Sequence, residues 1–203
     1  GPAGSFDSKQ ASVGHVMKVG DTYYMFYTGK DDNRKSGGIG VAKSSDGLNW
    51  TKGANNPIIA PADIGAGQIW AVQVIYENGI WKLWAHAWNV DGVDENDGIV
   101  YFTCADADPD SPNWTYKGLI VKAPDWHTIS LHEIPPEHIF KLNGKYIMTY
   151  SWYRGSDTPF VVGHMISEDG EDWYDWGIAV SKLTENTGTW DNHSNHDPFS
   201  API

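Results

Sequence analysis

Along this chain, short stretches of alternating apolar and polar residues are separated by turn residues at regular intervals. Positions 15–19 read as one strand, and the Gly20-Asp21 turn leads into a second at 22–28. After the polar run KDDNRKSG comes a third at 38–43. Ser45-Asp46-Gly47 then turns the chain into a fourth strand that opens with Asn49-Trp50-Thr51. Period-two patterning of this kind suits half-buried strands. Asp-Gly supplies the turns, because glycine tolerates positive φ and aspartate bonds its own backbone. No apolar stripe at three-to-four spacing is sustained over three turns, so an all-β fold is expected.

The pattern recurs. VGDTYYMFYTG, running on to Trp50, is repeated 123 residues later as LNGKYIMTYSW, running on to Trp173. Tyr23 falls on Tyr146, Gly40 on Gly163 and Asp46-Gly47 on Asp169-Gly170. A looser copy, YENGIWKLWAHA, lies between them with Trp81 at the Tyr23 position, an offset of 58. Four antiparallel strands in a unit of roughly sixty residues describe a propeller blade. Blades are expected at 6–60, 61–123 and 124–186. Thr189-Trp190-Asp191 restarts the Ser5-Phe6-Asp7 opening, so 187–203 read as the first strand of a further blade. A closed propeller needs at least four blades. The ring is therefore expected to be completed by another chain or segment, with 198–203 in the completed sheet.

Composition narrows the possible partners. A formal charge of −12 over 203 residues argues against nucleic acid and anionic membrane surfaces. The single Cys104 excludes an internal disulfide framework. Eleven Trp and ten Tyr serve first as sheet core and, where exposed, as platforms for sugar rings. Gly1 to Ser5 reads as a cleavage and cloning remnant rather than a signal peptide.

Several phrases resemble the five-bladed propeller glycoside hydrolases, the arabinanase, β-xylosidase and invertase superfamily, and are closest to family 43. Asn143-Gly144-Lys145-Tyr146 with Ser167-Glu168-Asp169-Gly170 and Trp173 matches its blade phrase, as do Tyr23 to Tyr27 with Ser44 to Trp50. Trp70-Ala71-Val72-Gln73 resembles its W-A-P-D stretch. The resemblance covers most of 6–203. It implies an incomplete five-bladed β-propeller whose inner strands line a funnel, with an Asp base or nucleophile, an Asp that tunes the acid, and a Glu general acid.

Mapped onto this chain, that triad is only partly present. The base position in the first blade holds Val13-Gly14, and the tuning Asp becomes Gln73. The acid region reads His132-Glu133-Ile134-Pro135-Pro136-Glu137-His138, which makes Glu133 the expected acid and Glu137 the alternative; strand alternation puts both on one face. Asp197, in the only His-Asp-Pro run, falls on the expected base position. Each has a plainer rival: Asp197 as a turn residue before proline, and Glu133 as a solvated rim residue. His15, Gln73 and His138 occupy equivalent places. They would bind sugar hydroxyls, hold an axial cation through His15 and His138, or bridge neighbouring blades. Trp70 and Trp126, with His127, are the expected sugar platforms. Trp70, Gln73, His132 and His138 are expected to face one concavity. Asp46 and Asp169 read as turn formers, and Trp50, Trp114 and Trp173 as blade packing.

The implied function is a glycosidase acting on a polysaccharide or its oligosaccharides, needing no cofactor beyond a possible structural Ca²⁺ on the axis. The implied setting is extracellular or periplasmic. The alternative is a carbohydrate-binding or assembly propeller that has lost its triad, which Val13 and Gln73 favour.

Overall fold

The computed structural model describes residues 1–32, 36–93, 96–122, 134–152 and 161–181. Among the described residues, twelve strands form three four-stranded antiparallel sheets, each in simple meander order. The first holds β1 (Gln10–Val19), β2 (Thr22–Lys30), β3 (Ser36–Ser44) and β4 (Thr51–Lys52). The second holds β5 (Gln68–Glu77), β6 (Ile80–Trp88), β7 (Gly98–Cys104) and β8 (Thr115–Lys122). The third holds β9 (Pro136–Leu142), β10 (Lys145–Trp152), β11 (Val161–Ser167) and β12 (Tyr174–Ser181). The fold is an all-β propeller, incomplete in this chain. Among the described residues, helix is confined to 3₁₀ turns at Pro61–Ile64 and Val90–Gly92. None is long and apolar enough to cross a membrane.

Two seams hold the sheets together, and β6 supplies a tryptophan to each. Trp81, fully buried, points to the first sheet and meets Tyr24 at 4.9 Å between ring centroids and Phe26 at 5.9 Å. Trp84 points the opposite way, stacks on Tyr101 at 5.0 Å, and meets Tyr146 and Trp173 of the third sheet. Its indole N–H donates to Gly170 O at 2.8 Å. A buried indole removes on the order of 200 Å² from water, worth ~5 kcal/mol, so these two rings dominate their seams.

The turns behave as their composition dictates. Asp46 accepts from the N–H groups of Leu48 and Asn49, and Asp169 from those of Glu171 and Asp172. Trp50 and Trp173 donate to the carbonyls of Gly47 and Gly170. Trp114 packs against the first seam.

Candidate functional site

The first strands of the three sheets are neighbours, with β5 lying against both β1 and β9. Each is interrupted by a β-bulge at the same repeat position. Register shifts occur between Val13 and His15 in β1, between Trp70 and Gln73 in β5, and opposite Thr149/Tyr150 in β9, where Glu137 is the extra residue. The offsets of 58 and 123 align Gly14, Val72 and Glu137 at the bulge. In β5 the distortion shows as a left-handed Ala71 at φ 52°. A bulge bends the strand and re-aims the next side chain, and bulges gather beside active sites. Here the next side chains are His15, Gln73 and His138.

Two of these three are joined directly. Gln73, 5% exposed, donates from Nε2 to Gly14 O at 3.1 Å and turns Oε1 to His15 Nδ1 at 2.9 Å. The Gly14 carbonyl fixes the amide's orientation, since the reverse would set two acceptors face to face. His15 Nδ1 must then carry the proton, and Nε2 is left as an acceptor. Burial and the nearby His138 hold the His15 imidazolium below its ordinary range, and burial does the same to His138. Gln73 thus bridges β1 and β5 as well as lining the bulge. Gly14 is required there, because a Cβ would lie 2.6 Å from Val72 O.

Glu137 is half-buried, and its carboxylate accepts a short hydrogen bond from the Ser151 hydroxyl. The expectation that Glu133 and Glu137 share a strand face involves Glu133, which is not among the described residues. Glu137 itself is the extra residue of the β9 bulge. Glu133, Asp197, His132, Trp126 and His127 lie outside the described residues, as does the tail 198–203.

Trp70 is held against its own sheet. Its N–H donates to His86 Nδ1, and its ring lies edge-on to His86 and Trp88, each at 5.6 Å. It makes no hydrogen bond to the His15–Gln73 pair. His86 and Ser151, which position Trp70 and Glu137, were missed from sequence. They fall at equivalent repeat positions with Thr28, and all three are buried polar residues; applying the 58 and 123 offsets to the second strands would have found them.

The donor set does not suit a hard cation. Ca²⁺ takes roughly six to eight oxygen ligands. His15 and His138 offer imidazoles, and the Gln73 oxygen is engaged by His15. Among the described residues, no three His, Cys, Asp or Glu side chains converge as a metal site.

No protein-family profile and no curated protein sequence matches this chain. Solved structures do. An endo-arabinase from Bacteroides thetaiotaomicron superposes with a TM-score of 0.61 at 19% identity, over 82% of this chain and 61% of that one. Zg3597, a family 117 glycoside hydrolase from the marine bacterium Zobellia galactanivorans, gives 0.60 at 16%, over 83% and 56%. The Bombyx mori GH32 β-fructofuranosidase BmSUC1 gives 0.60 at 18%, over 80% and 36%. The chain therefore spans between about a third and three-fifths of the length of these structures, and the likeness is one of fold.

Proposed function

We propose that this propeller hydrolyses glycosidic bonds in a polysaccharide or its oligosaccharides, with the reaction in the funnel that the bulged inner strands line. The observation that carries the reading is the repeated bulge. It recurs at one height in three blades, re-aims a polar side chain each time, and in the third blade holds a carboxylate, Glu137. The fold shared with three differently named glycoside hydrolases supports it.

Hydrolysis needs one carboxyl group protonated and one ionised, facing each other across the scissile bond. Glu133 is assigned the acid, protonating the leaving oxygen, and Asp197 the base or nucleophile. Glu137, oriented by Ser151, is the alternative acid on the same segment. Nε2 of His15 accepts a sugar hydroxyl, His132 and His138 are assigned the same role, and Trp70 and Trp126 are assigned contact with ring faces. A further chain or segment completes the ring. Val13 and Val16, 62% and 47% exposed on β1, are the apolar surface it would cover.

A second reading is favoured by Gln73. An amide engaged at both ends cannot exchange a proton, and it stands where the resemblance places an acidic residue. That reading is a propeller that binds saccharide without cleaving it. The distinguishing experiment is Glu133→Gln. A glycosidase loses hydrolysis of natural glycosides but keeps most activity on activated aryl glycosides, whose leaving group needs little protonation. Full activity on natural substrates would move the acid to Glu137. No activity in the parent protein on either substrate would favour the binding reading.

A further inference from the structure

A cleft on the outer seam between the first and second sheets is lined by none of the bulge residues. It has a volume of about 340 Å³ and lies between the 55–64 segment and the outer strands β7 and β8. Its floor is Ile58, Ile59 and Phe102, all buried, and the half-exposed ring of Tyr116 forms one wall. Asn55 and Asp63, both exposed, also line it.

The rim is built rather than loose. Asp110 accepts the N–H groups of Ala54 and Asn55 at 2.8 and 2.9 Å, and its carbonyl takes the Asn55 amide N–H. That fixes the Asn55 amide with Oδ1 left to accept. Asn56 locks the segment to β3 through Val41 N and O. Asp63 uses Oδ2 on the Ala60 N–H at 2.7 Å and keeps Oδ1. The Tyr116 phenol is held above its ordinary pKa by burial and by Asp91, so it remains a donor.

We infer that this seam cleft is a second saccharide site, holding a short uncharged sugar unit on the Tyr116 ring with its hydroxyls on Asn55 and Asp63. An aromatic ring and fixed acceptors lining one cleft match a polyhydroxylated ring, whose C–H face is apolar and whose edge donates hydrogen bonds. The volume is at the low end for ligand sites, about 300–1,000 Å³, so the occupant is short. Asp63 and Asp91 beside the cleft, in a chain of charge −12, disfavour a uronic or sulfated sugar. Fixing the rim in advance reduces the ordering cost of binding.

The test is titration calorimetry and saturation-transfer NMR with arabinotetraose, an inulin-type fructotetraose and cellotetraose as probes. The proteins are the unmodified chain, Tyr116→Ala, Tyr116→Phe and, as a surface control outside the cleft, Leu48→Ala. The expected result is that at least one probe binds and that Tyr116→Ala weakens it about tenfold. Tyr116→Phe, which keeps the packing on Phe102, should weaken it only a few-fold, and Leu48→Ala should leave this binding unchanged. Failure of all three probes to bind, or binding that both Tyr116 variants leave intact, overturns the proposal. Tyr116-dependent binding without hydrolysis would sink the glycosidase reading alone. Hydrolysis without Tyr116-dependent binding would sink this one alone.

Discussion

Replacing Gly14 with alanine tests the inner-strand junction at its tightest point. The added methyl would meet Val72 Cγ1 at 2.5 Å, Val72 O at 2.6 Å and Val72 N at 3.2 Å. Two of those three atoms are backbone, so a rotamer change in Val72 cannot relieve the clash and β1 must move away from β5. Overpacking of this kind costs ~1–3 kcal/mol. Moving β1 also loosens the bond from Gln73 to Gly14 O and the His15–Gln73 bond, at ~1 kcal/mol each. Against these stands the gain from a stiffer unfolded chain, ~0.4–1 kcal/mol for Gly→Ala. The clash wins, and the net loss is about 2–4 kcal/mol, or roughly 6–12 °C in Tm for a domain of this size. Urea unfolding followed by tryptophan fluorescence, with calorimetric Tm, measures it. Val72→Ala in the same chain removes only the Cγ1 contact, so its rescue should be partial. A Gly14→Ala protein as stable as the parent to within about 0.5 kcal/mol would refute the close approach of β1 and β5.

Three further outcomes follow from the same structure. Trp84→Phe removes the donor to Gly170 O and part of a fully buried ring, so urea unfolding should show a loss of ~2–4 kcal/mol; a loss under about 0.5 kcal/mol contradicts the second seam. His15 and His138 titrate below the ordinary 6.5, so the unfolded chain takes up protons first. Their contribution is complete above about pH 6.5 and falls as pH drops from there through the folded values; His15→Gln should flatten that fall, and an unchanged pH profile of stability counts against the buried imidazole. Asp46 and Asp169 are held below the ordinary 3.8 by the N–H groups that they accept, those of Asn49 and Glu171 foremost. Their turns are stabilised above that value and weaken as pH falls through the lowered ones, so Asp169→Asn should leave a shallower acid limb in Tm below about pH 4.

The repeat made the architecture legible, because strand alternation and Asp-Gly turns are local signals that packing reinforces. Asp46, Asp169, Trp114 and Trp173 act as their positions in the repeat indicate. The bulges were not legible. β1 begins at Gln10, five residues before the expected start, because the extra residue at Gly14 breaks the two-residue period and splits one strand into an apparent strand and loop. A glycine aligned with a valine and a glutamate, at positions 14, 72 and 137, is a weak signal, and only the register of paired strands turns it into geometry. The partner of Trp70 was visible only through the repeat offsets: nothing in its own stretch points to His86, which the fold brings opposite it across β5 and β6.

The most direct measurement is the separation of the Glu133 and Asp197 carboxyl groups in a crystal structure of the intact protein with a bound oligosaccharide. The glycosidase account predicts that they face each other across the sugar, at about 5–5.5 Å for retention or about 6.5–9.5 Å for inversion. A separation beyond about 12 Å with no third carboxylate between them would contradict it, and the propeller would then stand as a saccharide-binding one.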